Sequence, residues 1–544
     1  MTDQPMWIHQ LSRDEIAVLT ADVSPGGPLK GVTFAAKDNI DVAGVDSTAG
    51  FPGLAGSPAK ASAFAVERLL AAGAVPVGKT NMDQFATGLV GTRSPYGACH
   101  AVDSPLHISG GSSSGSGVAV ASGAVALALG TDTAGSGRVP AAFNGIVGVK
   151  ATKGLISTSG VLPACRSLDC VTTFTRTVAE ARTAFEVLAR YDPADAWSRP
   201  MPVSAPVGVA RELRVIAVPA GDLDLEPLHR EAWLTAVAHA HDVADRVVQV
   251  DISVFLETAQ LLYGGPWVAE RYAGFGHLLE DDAEGLDPIV RRVVLGGRST
   301  TGPSVFAAFD RLAVLRRSAD ALWTEVDALL LPVTPTHPTF AEVEADPVGV
   351  NSRLGVYTNF VNLLDLCAVA VPSGRRSDGL PFGTQLIAPA FADRPLLDLA
   401  ARWCGEAVAA PQPAPASVQV VVVGAHLSGM ALNHQLVSLG SSLVRRTRTC
   451  AAYRLYRLPG PGVPRPGLVR TGDGPADGLP VEVWELPLQG YASLQTMVPA
   501  PLGFGRLELA GGETVLGFVC EPYGVAGAED ITAYGGWRRY MASL

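Results

Sequence analysis

A tract of small residues that leads into an apolar run most strongly limits what this chain can fold into. The tract, Gly110–Gly117, reads GGSSSGSG, and the run that follows, Val118–Gly130, contains no charged residue. A Gly/Ser tract alone is typical of a flexible linker, but linkers join polar segments. An apolar run without a polar face predicts a helix buried in a large core, and this run is too short and too interrupted to cross a membrane. We therefore expect a binding loop, with backbone N–H groups at a helix N-terminus and glycines that permit close backbone approach.

The composition predicts a large interior. Of 544 residues, 48% are hydrophobic and 17% are charged, which suits one large α/β domain and a smaller one. The net charge of −11 provides no basic field for nucleic acid. Seven scattered cysteines form no C-x-x-C pair, and the N-terminus does not read as a signal peptide. These observations predict a cytoplasmic protein with reduced thiols.

Short apolar runs alternate with helical stretches, a pattern that predicts an α/β sheet protein. The expected elements are strands at 31–37, 74–78, 327–333 and 380–387, and helices at 63–72, 226–240, 305–326 and 395–408. A Pro/Ala-rich tract at 409–417 is typical of a semi-rigid linker. It predicts one domain over 1–408 and a second over 418–544, where short strands and Gly/Pro turns indicate a small α+β or mostly β fold.

Two serines in glycine-rich loops and one lysine form the strongest chemical pattern. Ser112 lies in the Gly/Ser tract, Ser136 follows it by 24 residues, and Lys37 precedes it by 75 residues. A single lysine is usually a surface residue. Together, however, the three side chains can abstract a proton, attack a carbonyl and support an oxyanion without histidine or a metal ion. The pattern therefore predicts hydrolysis of an amide.

The segments around these residues resemble the amidase signature family over roughly residues 25–408. The matching segments are Gly31–Asn39, Gly110–Gly117 and Gly130–Phe143, and the spacing of the lysine and the serines matches as well. The resemblance implies an α/β fold whose mixed β-sheet core is covered by helices. It implies no metal ion and no cofactor.

The resemblance also implies a role for each of the three residues. Ser136 would be the nucleophile, and Ser112, preceded by a cis peptide bond, would bridge it to Lys37. Lys37 must be neutral to act as a base, so burial should lower its pKa from about 10.4 to about 7. If the strand continues past Lys37, Asp38 points to the opposite face and does not restore the charge of the lysine.

The loop that carries Ser136 is expected to hold the oxyanion. In the family, this role would fall to the backbone N–H groups of Thr133, Ala134, Gly135 and Ser136. The chain departs from the commonest family wording at Ala134, where glycine is usual, and at Gly137, where a branched residue is usual. Neither change removes a catalytic atom, so both bear on the choice of substrate.

Two further segments, Met82–Gly97 and Thr133–Pro140, are similar to the allophanate hydrolases within this family. That similarity implies hydrolysis of allophanate (urea-1-carboxylate) to ammonia and carbon dioxide in urea degradation. Arg271 would bind the carboxylate bidentately, and Tyr263 and the backbone of Gly88 would contact the substrate. Without the family, Tyr263 would be interpreted as a core aromatic and Arg271 as a surface charge.

The second domain begins with a strand and a loop that only partly match a dinucleotide-binding motif. In Val420–Gly429, His426 replaces the second glycine of G-x-G-x-x-G, and its side chain would block a pyrophosphate. The segment resembles the allophanate hydrolase C-terminal domain, which is related in fold to γ-glutamyl cyclotransferases. The resemblance implies decarboxylation of N-carboxycarbamate aided by a histidine, with His426 favoured over His434. The alternative is a domain that mainly packs or assembles subunits.

Three other functions stay open on the sequence alone. An amidase for another small amide would share the two serines and the lysine. An amidotransferase subunit would share them too, but would lack this C-terminal domain. A catalytically inactive scaffold is disfavoured because all three residues are present. We expect a small-molecule substrate, no nucleic-acid or membrane partner, and a homodimer.

Overall fold

The computed structural model describes residues 4–21, 26–202, 212–408, 417–439, 441–460 and 462–544. These residues form two compact units. The larger contains the described residues up to 200 and those from 212 to 408, and the smaller contains residues 201 and 202 and those from 417 onward. The predicted linker at 409–417 lies outside the described residues except for Ser417, which begins a strand.

The larger unit alternates strands with helices. Its strands are β1 (Trp7–Gln10), β2 (Thr33–Lys37), β3 (Val75–Thr80), β4 (His100–Ala101), β5 (Ser104–Ile108), β6 (Leu127–Asp132), β7 (Val147–Lys150), β8 (Cys170–Thr175), β9 (Val215–Pro219), β10 (Arg246–Val250), β11 (Ala328–Pro332), β12 (Cys367–Arg375) and β13 (Pro381–Ala388). Its helices are α1 (Arg13–Thr20), α2 (Phe64–Ala71), α3 (Ser114–Ala121), α4 (Val139–Phe143), α5 (Val178–Leu188), α6 (Pro227–Val243), α7 (Ser253–Gly264), α8 (Trp267–Phe275), α9 (Pro288–Gly296), α10 (Gly302–Asp320), α11 (Phe340–Ala345), α12 (Gly349–Leu354), α13 (Asn359–Leu363) and α14 (Asp393–Trp403).

An 11-stranded mixed sheet forms the centre of the larger unit, in the order β1-β3-β2-β6-β8-β7-β12-β13-β11-β9-β10. β2 pairs in parallel with β3 and β6, whereas β6 pairs antiparallel with β8. Every residue of β6 and β8 is buried, as expected for strands that are covered on both faces. The predicted mixed α/β fold is confirmed. Within the described residues, no helix is long and apolar enough to cross a membrane.

The apolar run after the Gly/Ser tract is only partly the helix that its composition predicts. α3 covers Ser114–Ala121 and is buried nearly throughout, but the chain turns at Gly123, whose φ is +77°, and continues as strand β6. A short apolar run that is buried on all sides does not distinguish a helix from a central strand. The Gly/Ser tract leads into a buried helix, as predicted. The second half of the apolar run forms a strand instead of continuing that helix.

Two predicted helices end earlier than expected. The helix predicted at 305–326 is α10, which ends at Asp320 and is followed by a short 3-10 turn. The helix predicted to continue to 408 is α14, which ends at Trp403. Gly405, two residues beyond, has a φ of +66°, and a glycine in this conformation is a common helix terminator.

The smaller unit is built on short strands. They are β14 (Ser417–Val422), β15 (Ser442–Arg448), β16 (Tyr453–Leu458), β17 (Arg465–Arg470), β18 (Pro480–Pro487), β19 (Leu502–Glu508), β20 (Thr514–Cys520) and β21 (Glu529–Asp530). Its helices are α15 (Asn433–Ser438), α16 (Leu488–Met497) and α17 (Trp537–Ala542). The strands form a five-stranded sheet, β15-β18-β14-β20-β19, and a three-stranded sheet, β17-β16-β21. Among the described residues, both sheets contribute to one core of 22 buried residues. Together with the three helices, the sheets give this unit the predicted α+β character.

Candidate active site

The parallel pairing of β2 and β6 brings the predicted lysine to the predicted serine loops. Ala36 is paired with Leu129, so Lys37 at the end of β2 lies next to the end of β6. Both strands run in the same direction, and loops at the carboxyl ends of parallel strands meet at one edge of a sheet. The loop that carries Ser136 leaves this same edge, immediately after β6 ends at Asp132.

Lys37 is completely buried and donates two hydrogen bonds. Its Nζ lies 2.7 Å from Ser112 Oγ and 2.8 Å from Thr131 Oγ1. The peptide bond between Gly111 and Ser112 is cis, as the family resemblance implies. Thr131 was not singled out from the sequence, although it lies inside a segment that carries the resemblance, because a threonine next to a glycine has no distinctive spacing.

Burial lowers the pKa of the Lys37 amine to about 7. The carboxylates of Asp83, Asp169 and Asp132 oppose this effect because they favour the protonated amine, whereas the positive charge of Arg271 acts in the same direction as burial. A lysine with this pKa is a substantial fraction neutral at pH 7, which a general base requires.

Asp38, the neighbour of Lys37 in sequence, forms its contacts with groups other than the Lys37 amine. Its carboxylate accepts a hydrogen bond from the backbone N–H of Thr48 at 3.0 Å and lies 3.5 Å from Lys79 Nζ. Burial raises the pKa of Asp38 and lowers that of Lys79, and each side chain opposes the shift of the other. β2 ends at Lys37, but the backbone N–H of Asp38 still donates to Thr80 of β3, and the Asp38 carboxylate is bonded to Thr48 and Lys79 instead of to Lys37.

Ser136 is 2% exposed, and its Oγ donates a long hydrogen bond of 3.5 Å to the backbone oxygen of Gly88. No hydrogen bond among the described residues joins Ser136 Oγ to Ser112 Oγ. In the described residues, a hydrogen bond thus joins Lys37 to Ser112, but none joins Ser112 to Ser136. Catalytic hydrogen bonds are commonly long without substrate and shorten when it binds.

A buried ion pair holds the loop between Asp132 and Arg138. Arg138 Nε and Nη2 donate to the two Asp132 carboxylate oxygens at 2.9 and 3.0 Å, and both side chains are completely buried. The same carboxylate accepts the backbone N–H groups of Gly135 at 2.7 Å and Gly137 at 3.1 Å. Burial by itself would raise the pKa of Asp132, but Arg138, the charge of Lys150 and the Gly137 N–H together outweigh it, and the pKa is lowered. Asp132 therefore stays ionised and restrains the residues on both sides of Ser136.

Arg138 uses its remaining donors on other buried groups. Its Nη1 donates to the backbone oxygen of Thr358 and to Gln385 Oε1, and its Nη2 also donates to Asn362 Oδ1. All five N–H groups of the guanidinium thus have acceptors, as a buried arginine requires. Asp132 and Arg138 both lie in a segment that resembles the family, but only the tertiary contacts reveal their supporting role.

The hydrogen bonds of the loop restrict which N–H groups can face an oxyanion. The Gly135 N–H donates to Asp132, so it is not free to bind an oxyanion. The predicted role of Gly135 in the oxyanion hole is therefore corrected. Among the described residues, no hydrogen bond occupies the N–H groups of Thr133, Ala134 or Ser136. Thr133 is further restrained by its side chain, since its Oγ1 donates to Asp169 Oδ1 at 2.5 Å.

Arg271 lies on the buried face of α8, not on the surface. Its Nη1 donates to Thr87 Oγ1 at 3.1 Å and to the backbone oxygen of Ala86 at 3.4 Å, while its buried Nη2 has no hydrogen-bond partner within the described part of the chain. The guanidinium carbon is 5.7 Å from the centre of the Tyr263 ring, so the structure brings these two predicted residues together. Its contacts with Thr87 also place it beside Gly88.

The smaller unit contains a cavity of about 80 Å³ beside the predicted histidine. His426 lines it together with Gln435 and Arg465, its Nε2 is 2.9 Å from Gln435 Oε1, and its ring stacks on Phe518. Burial lowers the pKa of His426, and the hydrogen bond with Gln435 opposes this shift. His434 is exposed on α15 and does not line this cavity.

Comparison with known proteins agrees with these two units. Residues 12–397 match the family described as Amidase, and residues 418–542 match the Allophanate hydrolase C-terminal domain. Urea amidolyase of Saccharomyces cerevisiae is 42% identical over 552 residues, covering 95% of this chain and 30% of that protein. The chain therefore spans less than a third of the urea amidolyases that it matches.

Two other similarities cover most of the proteins compared. A glutamyl-tRNA(Gln) amidotransferase subunit from a Synechococcus species is 34% identical over 404 residues, covering 69% of this chain and 83% of that protein. The solved structure of Kluyveromyces lactis allophanate hydrolase is 39% identical with a TM-score of 0.72, covering 99% of this chain and 94% of that one. The chain belongs to the amidase family and carries an allophanate hydrolase C-terminal domain.

Proposed function

We propose that this chain is an amidohydrolase that cleaves allophanate and releases ammonia through Ser136, Ser112 and Lys37. The observation that carries the proposal is the buried Lys37 amine, with a pKa of about 7, bonded to Ser112 beside the loop of Ser136. The similarity to the allophanate hydrolase of Kluyveromyces lactis over nearly the whole chain supports the choice of substrate.

In the proposed reaction, neutral Lys37 accepts the proton of Ser112 Oγ, which in turn takes the proton of Ser136 Oγ. Ser136 Oγ attacks the amide carbon, and the N–H groups of Thr133, Ala134 and Ser136 stabilise the oxyanion. The relay returns a proton to the leaving nitrogen, so ammonia departs and an acyl-serine remains. Water then attacks the ester by the same relay, releases N-carboxycarbamate and regenerates Ser136.

Arg271 supplies the specificity for an anionic substrate in this proposal. Its buried Nη2 has no acceptor among the residues that the structure describes, and a buried donor without a partner is unfavourable unless a ligand satisfies it. A carboxylate meets a guanidinium in a charge-assisted hydrogen bond, and the Tyr263 ring forms the adjacent wall. The substrate carboxylate would therefore lie at Arg271, with the amide carbon directed towards Ser136.

The nucleophile is tested by ammonia release from allophanate, biuret, malonamate and glutamine. Ser136→Ala should abolish release, while Ser114→Ala, which alters a buried serine of the Gly/Ser tract whose Oγ donates to the backbone oxygen of Asn81, should retain it. Substantial turnover by Ser136→Ala would overturn the assignment. Preference for glutamine over allophanate would favour an amidotransferase-like activity instead.

The carboxylate contact is tested with Arg271→Ala. This variant should raise KM much more for allophanate than for a neutral amide such as biuret. Arg298→Ala, which removes an exposed arginine paired with Glu280, serves as the control and should leave both KM values unchanged. Equal effects of Arg271→Ala on the two substrates would refute the contact.

For the smaller unit, we propose that it assists loss of CO₂ from N-carboxycarbamate. Protonation of the nitrogen of this dianion and cleavage of one C–N bond yield carbamate and CO₂. Arg465 can bind a carboxylate in the cavity, and His426 can deliver the proton. In the full chain, His426→Asn should slow CO₂ release relative to ammonia release, whereas His434→Asn should not. Unchanged CO₂ release would leave the unit a role in packing or assembly.

We also propose domain boundaries at 408 and 418, a cytoplasmic location and a homodimer. All seven cysteines are free, which supports a reducing compartment. The family matches that end at 397 and begin at 418 support the boundaries. The mass of the protein in solution, measured by light scattering, tests the dimer.

A further inference from the structure

Asp83 forms hydrogen bonds with two backbone segments that lie near the proposed nucleophile, Ser136. It is completely buried. Its Oδ2 accepts the backbone N–H of Gly91 at 3.0 Å, and its Oδ1 accepts that of Arg93 at 2.9 Å. Its own backbone N–H donates to the carbonyl oxygen of Ser112 at 3.0 Å. One residue therefore connects the turn at Gly88–Arg93 to the peptide that carries the bridging serine.

The Asp83 carboxylate also packs tightly between two glycines. A Cβ atom on Gly111 would lie 2.1 Å from Asp83 Oδ2, and one on Gly88 would lie 2.7 Å from the same oxygen. Gly88 supplies the carbonyl that accepts the Ser136 hydroxyl, and Gly111 precedes Ser112. The carboxylate thus packs against the backbone at Gly111, next to Ser112, and at Gly88, which bonds to Ser136.

We propose that Asp83 is a positioning residue, which holds Ser112 and the Gly88 carbonyl at the spacing that Ser136 needs and places a negative charge near Lys37. The inference deepens the proposed function and rests on it. Asp83 touches no reacting atom, so it acts through Ser112, Gly88 and Lys37. No role for it could be assigned from its place in the Met82–Gly97 segment.

The charges around Lys37 give this role a measurable signature. Asp83, Asp169 and Asp132 all raise the pKa of Lys37, with Asp83 the strongest of the three, while burial and Arg271 lower it. Burial also raises the pKa of Asp83 itself, an effect that Arg93 opposes and Asp287 reinforces. Replacing an ionised Asp83 with a neutral group therefore lowers the pKa of Lys37 further.

The test is Asp83→Asn in the full chain, which preserves shape but removes the charge and one acceptor. We expect kcat to fall by about 10²-fold, because misplacement of a reacting group by an ångström has an effect of this size. We also expect the acid limb of kcat/KM to move to lower pH. Asp393→Asn is the matched control, since Asp393 is a buried carboxylate that accepts two hydrogen bonds from Thr152 and is not among the three carboxylates that raise the pKa of Lys37 most.

The readouts separate positioning from general destabilisation. A structural role alone would lower the melting temperature in both variants and leave the acid limb unmoved in both. The inference is overturned if Asp83→Asn retains wild-type kcat, or if its loss of activity equals that of Asp393→Asn with an unmoved acid limb. Ser136→Ala, measured in parallel, reports on the proposed function separately: its failure to inactivate would leave the nucleophile, not Asp83, misassigned.

Discussion

Replacing the buried lysine with methionine should abolish activity and stabilise the larger unit at neutral pH. Met has a similar length and no charge, so Lys37→Met removes the cost of burying an amine. The difference between the ordinary lysine pKa of 10.5 and about 7 corresponds to about 5 kcal/mol, since each pKa unit is worth about 1.4 kcal/mol. Loss of the hydrogen bonds to Ser112 and Thr131 costs about 1 kcal/mol each. About 3 kcal/mol of net stabilisation should remain below pH 7.

The pH dependence follows from proton binding in the two states. Between about pH 7 and 10.5, the unfolded chain keeps the Lys37 proton and the folded chain does not. Because the unfolded state then binds more protons, the free energy of unfolding of the wild type rises with pH, and that of Lys37→Met lacks this contribution. The advantage of the variant should therefore shrink above pH 7 and reverse above about pH 9.

Thermal unfolding of both proteins between pH 6.5 and 9.5 measures this effect. For a unit of about 400 residues, 3 kcal/mol corresponds to an increase in Tm of about 3–4 °C. The exposed Lys60→Met serves as the control, since it should change Tm little at any pH. A variant that melts below the wild type at pH 6.5, or a Tm difference that does not change with pH, would refute the argument that Lys37 is held neutral by burial.

Three further predictions concern the same site. In the wild type, kcat/KM for allophanate should fall as the pH drops below about 7, because Lys37 becomes protonated, and a pH–rate profile checks this. Arg138→Met should lower the free energy of unfolding by about 3–5 kcal/mol, because it leaves Asp132 charged and unpaired, and calorimetry against the wild type measures the loss. Gly135→Ala should reduce kcat more than it changes KM, because the φ of Gly135 is +137° and a Cβ would lie 2.4 Å from Thr358 Oγ1; unchanged kcat in steady-state assays would contradict this.

Local patterns predicted the elements of the sheet well where short apolar segments were bounded by turns. The strand predicted at 74–78 and the helix predicted at 63–72 differ from β3 and α2 by one or two residues at each end. The run Val118–Gly130 was harder, because the parts of it that form α3 and β6 are both apolar and both buried. Hydrophobic periodicity carries no information when every face of an element is covered.

The sequence alone identified the candidate residues for the proposed chemistry. Lys37, Ser112 and Ser136 lie in segments whose composition and spacing match a known family, and these features are local in the chain. The need for a neutral lysine also follows from the chemistry of a base, without coordinates. The same reasoning separated Asp38 from the lysine, because side chains alternate along a strand.

Only the tertiary structure decided how those residues are held and tuned. Thr131 becomes an acceptor for Lys37 because β2 and β6 pair in parallel, and Asp83 reaches the peptide of Ser112 from a separate segment. Asp132 and Arg138 are close in sequence, but the strength of their ion pair depends on complete burial by distant strands and helices. Desolvation and the charges of groups far apart in the chain set a pKa, and both exist only once the chain has folded.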